Sequence, residues 1–144
     1  MERKWLPTFA ELIDRLSIHQ LKEIFISEHK DKYAKEMEDI CNDLQVIISE
    51  KDIKITGELI RSIVIISQIN AHIWYNETKA RQGIDQDLSL LKLTHGINGL
   101  RSEIQNYILE LIGEVERKDW KIDCLASEFK NWEISLFKKK KDES

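Results

Sequence analysis

Apolar residues recur every three or four positions along most of the chain, a spacing that places them on one side of an α-helix. The residues TFAE at 8–11 form a capping box, in which the Thr8 hydroxyl accepts from a backbone N–H and Glu11 reaches back to the cap. We predict a first helix from there to about Ser27 and a second over about 31–50. Their predicted inward-facing residues are Phe9, Leu12, Ile13, Leu16, Leu21 and Ile24, followed by Tyr33, Met37, Ile40, Leu44, Ile47 and Ile48.

Two longer helices are predicted to form a central antiparallel hairpin. The third, over about 57–82, follows the capping residue Thr56 and is apolar on most sides, so we expect it to be the most buried helix. Gly83 is its expected end, and the fourth helix then covers about 87–116. This fourth helix carries a seven-residue repeat of apolar positions, Leu90, Leu93, Ile97, Leu100, Ile104, Tyr107 and Leu111.

A fifth helix is predicted over about 119–137, before the charged residues KKKKDES at 138–144. The 144 residues include only one proline and five glycines, fewer turn residues than a strand-rich fold needs. The sequence therefore predicts a single all-α, bundle-like domain over 1–137 and a flexible tail over 138–144. The apolar line of the fifth helix is Ile122, Leu125, Phe129, Trp132 and Leu136.

Composition indicates the partners and the cellular compartment of the protein better than it indicates an activity. The net charge of −4 argues against a nucleic-acid partner. The longest apolar run, SIVIISQI, is too short to span a bilayer, and no apolar signal region begins the sequence. Cys41 and Cys124 fit no CxxC pattern and are predicted to be reduced core residues. We expect a soluble cytoplasmic protein without a membrane partner.

The stretch NAHIWYNETKARQG at 70–83 places polar residues on a helical line that begins as core. Asn70, Trp74, Glu77 and Arg81 continue the line of Ile60, Ile63 and Ser67. An amide, an indole, a carboxylate and a guanidinium on such a line indicate a buried or half-buried polar site.

The facing helix has a second line, beside its apolar repeat, that is polar in the middle. Gly96 and Gly99 lie in this part, and each costs about 1 kcal/mol in a helix interior, which close approach of a ligand or backbone would explain. Antiparallel pairing around the break at Gly83 brings the two polar lines together. The predicted ligand-binding residues are Asn70, Trp74, Glu77, Arg81, Lys92, His95, Asn98 and Arg101.

These side chains suit a nucleotide-like or sugar-like anion. The cationic groups favour phosphate or carboxylate, Trp74 offers a flat face for stacking, and the amides can read polar edges. A purely structural interpretation is also open. Glu77 and Arg81 have the spacing of a surface ion pair, and Asn70 could bond Asn98 to fix the helix register.

The sequence lacks the common catalytic patterns. It contains no Gly-rich phosphate loop, no zinc-protease helix motif, no GxSxG and no Glu-x-x-His pair. The four histidines show no ligand spacing, so we predict no metal site and no cofactor. Enzymatic activity is therefore not our leading expectation.

Three segments, ELIDRLSIHQLK, NAHIWYNETKAR and LLKLTHGINGLRSEI, resemble a family of small all-helical bacterial and phage proteins of unknown function. The resemblance covers roughly residues 8–106 in separated blocks, with Gly99 where relatives carry a larger residue. It implies an all-α fold and a prokaryotic or viral, cytoplasmic setting, with no established activity. The matching positions are Leu12, Ile13, Asp14 and Leu16; Asn70, Trp74, Glu77 and Arg81; and Leu91, Lys92, Asn98 and Arg101.

The leading hypothesis is non-enzymatic binding of a small anionic, nucleotide-like ligand between the third and fourth helices. If the chain is phage-encoded, it could act in anti-defence by sequestering a host signalling nucleotide. The alternatives are a module that binds a host or phage protein, and a hydrolase or transferase acting on a nucleotide or sugar nucleotide with Glu77 as base. The apolar repeat of the fourth helix and the line Phe129, Trp132, Leu136 and Phe137 also predict a homo-oligomer.

Overall fold

The computed structural model describes residues 6–81, 88–118 and 134–136, and for 80, 81 and 88–94 the backbone alone. Within these ranges the regular structure is entirely helical and forms a bundle. The predicted fifth helix, the charged tail and Cys124 fall outside the description, apart from residues 134–136. The elements are α1 (Phe9–Phe25), α2 (Lys30–Glu50), α3 (Gly57–Arg81), α4 (Leu88–Leu111) and a 3-10 turn, Val115–Arg117.

Helix α1 begins at the predicted cap. The Thr8 hydroxyl accepts from the Glu11 N–H at 3.0 Å, and the helix buries Phe9, Leu12 and Ile13 on one side. Its last turn is different from the prediction, because Ile24 is exposed rather than inward-facing. Extended backbone at Ile26 ends the helix one residue after Phe25.

Helix α1 lies at the centre of the bundle. It packs against α2 on one side and against both members of the α3–α4 hairpin on the other. A contact between the His19 Nε2 and a Glu36 carboxylate oxygen, at 2.7 Å, ties α1 to α2. Helix α2 buries Met37 and Leu44, as predicted, whereas Cys41 is exposed and is not a core residue.

Helix α3 is not the most buried helix, contrary to the prediction from its apolar composition. The Thr56 hydroxyl accepts from the Leu59 N–H at 3.1 Å and begins the helix where expected. One side, including Leu59 and Ile66, is buried, but Ile60 and Val64 are exposed on the opposite side. The reason is that α3 contacts α1 and α4 only over part of its circumference.

Helix α4 ends at Leu111, five residues before the predicted end near Glu116. Gly113 has a positive φ of 82°, the Gly113 N–H donates to the Glu110 backbone carbonyl, and the Glu114 N–H donates to the Leu109 backbone carbonyl. These two bonds are those of a Schellman motif, which stops an α-helix at a left-handed glycine.

The seven-residue repeat of α4 serves the interior of the monomer. Ile97, Ile104 and Tyr107 are buried, and the last two pack in the main core with Leu59 and Ile66 of α3. Leu100 is half-buried and Leu111 is exposed, while the side chains of Leu90 and Leu93 are among those not described. Most of the described part of the repeat therefore packs inside the monomer and does not support an oligomer.

Candidate functional site

A polar cluster lies where α1, α3 and α4 meet, with Asn70 at its centre. Asn70 is only 3% exposed. Its Nδ2 donates to the Asp14 Oδ1 at 2.7 Å and to the Ser17 hydroxyl at 3.4 Å. Its Oδ1 accepts a long bond of 3.5 Å from Nη1 of Arg101. One buried amide thus links three helices.

The chemistry of the partners determines the orientation of the Asn70 amide. An ionised carboxylate only accepts, so Asp14 requires the NH₂ group, and a guanidinium only donates, so Arg101 requires the oxygen. The amide is therefore held at both ends, and it in turn positions the half-buried Arg101. A guanidinium has five N–H donors, so the bond to Asn70 leaves capacity for a planar anion.

Asn76 is a second buried amide on α3, and sequence reasoning did not select it. It is 4% exposed, and its Nδ2 has no hydrogen-bond partner in the part of the chain that the structure describes. Asn76 follows Glu58 by 18 residues, about five turns, so both project in the same direction. Glu58 accepts from the Tyr107 hydroxyl of α4 at 2.9 Å, and Asn76 therefore also faces α4.

The antiparallel pairing places Asn76 near the first turns of α4. Asn70 and Asn76 are separated by roughly 9 Å along the helix axis at 1.5 Å per residue. Because α4 runs in the opposite direction, the contact of Arg101 with Asn70 puts Asn76 level with residues close to His95. The Asn76 nitrogen, which has no partner among the described residues, therefore faces α4 in the region where the sequence predicted a ligand.

The structure brings together only part of the predicted residue set. Asn70 and Arg101 are in contact, Trp74 and Asn98 are half-buried nearby on the two helices, and Glu77 and His95 are exposed. Gly96 and Gly99 are both buried. The side chains of Arg81 and Lys92 lie outside the described set. Ser67 of α3 and Ser102 of α4 donate to backbone carbonyls of their own helices.

Asp14 and Ser17 are also parts of the site that the hairpin argument did not supply. They lie on α1, more than fifty residues before Asn70. Asp14 stood out in the sequence only as a member of the Leu-Ile-Asp-x-Leu segment. Asn76 could have been selected from the sequence because it follows Ile69 by seven residues and Ile73 by three, which places it on the same, buried side of α3.

A second concave region lies at the other end of the hairpin, with a volume of about 610 Å³. Two lysines, Lys51 and Lys54, are balanced there by Asp52 and Glu58. Lys51 is also paired with the buried Glu114. The balanced charge gives this region no preference for an anion, and we do not assign it as the ligand site.

The described residues include no group of three or more histidine, cysteine or acidic residues arranged to hold a metal ion. Of the helices described, none has the length and apolarity needed to cross a membrane.

Comparison with known proteins does not add a family. No protein-family model, curated protein or solved structure matches the chain. The resemblance to small bacterial and phage helical proteins therefore stays a prediction from the motifs.

Proposed function

We propose that the protein binds a small anionic, nucleotide-like ligand between α3 and α4 without transforming it. The observation that carries this proposal is the buried Asn76 amide, whose nitrogen has no partner among the described residues. A buried donor without an acceptor costs about 1–3 kcal/mol, and natural structures usually have a reason for it. A ligand oxygen or ring nitrogen between α3 and α4 would satisfy it.

Arg101 supports the anionic character of the ligand. Its guanidinium is half-buried and positioned by Asn70, so part of the conformational cost of binding is already met. Forked N–H donors match phosphate and carboxylate geometry. The half-buried indole of Trp74, one turn along α3, supplies a surface on which a base could stack.

The exposure of Glu77 favours binding over catalysis. In the alternative enzymatic hypothesis Glu77 is the general base, but it lies on the surface of α3. Proton transfer by a carboxylate at neutral pH usually depends on burial or a neighbouring charge that tunes it. The resemblance implies a prokaryotic or viral setting; if the chain is phage-encoded, a binder of this kind could sequester a host signalling nucleotide.

The first experiment is mass spectrometry of small molecules released by heat from the purified protein. Recovery of an intact nucleotide or sugar phosphate supports the proposal. Recovery of a hydrolysed or transferred product would instead favour the enzymatic hypothesis. Thermal-shift titrations with nucleoside mono- and diphosphates and cyclic dinucleotides, with inorganic phosphate as comparison, then define the ligand class.

Arg101→Gln and Arg15→Gln form a matched pair for those titrations. Both remove one positive charge, but Arg15 is exposed on α1. Loss of a charge-assisted bond worth about 1.5–3 kcal/mol should weaken binding roughly 10- to 150-fold in Arg101→Gln. Arg15→Gln should bind like wild type. Equal affinities for the two variants would exclude Arg101 from the site.

A second candidate function is that of a protein–protein interaction module. The observation in its favour is the exposed apolar side of α3, where Ile60 and Val64 face solvent. Co-purification of a stoichiometric host or phage protein, with no small molecule released on heating, would favour this function.

A further inference from the structure

A neutral amide separates the carboxylate and the guanidinium of the polar cluster. The Asp14 Oδ1 accepts from Nδ2 of Asn70 at 2.7 Å, and Nη1 of Arg101 donates to Oδ1 of the same Asn70 side chain at 3.5 Å. Asp14 and Arg101 therefore contact opposite ends of one amide and do not contact each other. The group that restrains Arg101 carries no charge.

A direct ion pair between Asp14 and Arg101 would have left less of the guanidinium for a ligand. A carboxylate opposite an arginine commonly accepts two parallel N–H bonds, which occupies the fork and neutralises the charge. The bond to Asn70 instead uses Nη1, and neither Nε nor Nη2 has a partner among the described residues. Arg101 thus keeps its positive charge and one edge with two N–H donors.

Asp14 determines which end of the Asn70 amide faces Arg101. An ionised carboxylate can only accept, so Asp14 holds the NH₂ group and leaves the amide oxygen for the guanidinium. The Ser17 hydroxyl also accepts from this NH₂ group, at 3.4 Å, but a hydroxyl can donate as well and imposes no orientation alone. Asp14 and Arg101 are both half-buried, so solvent reaches the cluster from both ends.

We propose that Asp14 is a positioning residue, which acts through Asn70 to aim the Nε–Nη2 edge of Arg101 at a phosphate group of the ligand. This inference rests on the proposed function, because it assigns the ligand group that Arg101 recognises. It adds α1 to a site otherwise formed by α3 and α4. It also predicts that the order carboxylate, amide, guanidinium is needed for binding.

Exchanging the two side chains on α1 and α3 tests this order. The variant that combines Asp14→Asn with Asn70→Asp has the net charge of wild type, and its amide can still donate to its carboxylate. The carboxylate, however, now faces Arg101 directly. Asp14→Asn alone is measured beside it, and Asp43→Asn, at an exposed position of α2, is the matched control.

Two measurements are made on wild type and on each variant. Calorimetric titration with AMP, and with adenosine as the uncharged comparison, gives the affinities, and circular dichroism checks folding. Nitrogen NMR relaxation of the Arg101 Nε–H group in ligand-free protein reports how firmly the guanidinium is held. The Arg101 signal is identified by its absence from Arg101→Gln.

The exchanged variant should fold and bind AMP at least tenfold more weakly than wild type, the loss expected for one charge-assisted bond. Asp14→Asn should leave the Arg101 Nε–H more mobile and bind AMP at least threefold more weakly. Removal of a nearby negative charge would by itself strengthen the binding of an anion, so the sign separates positioning from simple electrostatics. Adenosine binding, and every property of Asp43→Asn, should stay as in wild type.

An exchanged variant that binds AMP as wild type does would overturn the proposal. So would an Asp14→Asn variant that binds AMP equally well or more tightly, which decides the matter even if the exchanged variant does not fold. Equal losses for AMP and adenosine would show general damage to the fold and would also overturn it. If wild type binds neither compound, the proposed function fails for this nucleotide, and an Arg101 mobility unaffected by Asp14→Asn would separately refute the role of Asp14.

Discussion

The same substitution at two buried asparagines of α3 should change the free energy of unfolding in opposite directions. Asn70 and Asn76 are 3% and 4% exposed, but Asn70 bonds Asp14, Ser17 and Arg101, whereas the Asn76 nitrogen has no partner in the described part of the chain. Leucine has the same branching and the same number of side-chain non-hydrogen atoms as asparagine, and it lacks both polar atoms. Asn70→Leu should therefore destabilise the ligand-free protein, and Asn76→Leu should stabilise it.

The magnitudes follow from what each change leaves behind. Asn76→Leu relieves the cost of an unsatisfied buried donor, about 1–3 kcal/mol, which corresponds to roughly 3–10 °C in Tm for a domain of this size. Asn70→Leu removes a bond to the Asp14 carboxylate and the acceptor of Arg101, and should cost about 2–4 kcal/mol. The gain in helix propensity is the same in both variants and cancels when they are compared.

Equilibrium unfolding in urea, followed by circular dichroism on ligand-free protein, measures both changes. The midpoint should rise for Asn76→Leu and fall for Asn70→Leu, with similar m-values for all three proteins. If Asn76→Leu lowers the free energy of unfolding by as much as Asn70→Leu, the Asn76 amide has a partner in the folded protein. The argument that it waits for a ligand would then lose its basis.

Three further predictions concern the fold and use the same unfolding measurement. Thr8→Ala should cost about 1 kcal/mol, because the Glu11 N–H loses its acceptor at the start of α1; no change would mean that another group caps it. Gly113→Ala should cost about 1–2 kcal/mol because its φ is 82°, although an added Cβ would meet no atom within 4 Å. The Gly57→Ala control has equal space and no positive φ, so it should be neutral or stabilising, and destabilisation by both would refute the conformational explanation. Ile104→Ala should cost about 2–5 kcal/mol, against under about 0.5 for the exposed Val46→Ala, and similar costs would place Ile104 outside the core.

The residue at which each helix starts could be predicted from the sequence better than the burial of its side chains. Thr8 and Thr56 mark the beginnings of α1 and α3 because capping is a local interaction. The end of α4 carried an equally local signal in Gly113, but the apolar Ile112 and Val115 continued the helical pattern past it. Burial depends on distant elements, so the exposure of Ile24, outside the packed part of α1, could not be read from its helical spacing.

In the candidate site, too, local geometry could be predicted from the sequence, whereas contacts with distant elements could not. The hairpin geometry correctly placed Asn70 with Arg101, because two antiparallel helices joined by a short break have a calculable register. It could not supply Asp14 and Ser17, since their contact with Asn70 depends on where α1 docks against the hairpin. Asn76 was overlooked because only the packed structure reveals a polar atom that lacks a partner.

Opposite sides of α3 provide an internal control for the proposed ligand site. Tyr75 immediately precedes Asn76 in sequence, but successive residues project about 100° apart, so Tyr75 faces outward and Asn76 faces α4. The contacts of Asn70 involve α1 and α4, and Gln68 is exposed on the outward side of α3, away from these contacts. Gln68→Glu should therefore leave ligand retention unchanged, whereas Asn76→Leu should weaken it. Equal retention by the two variants would place the ligand elsewhere on the protein.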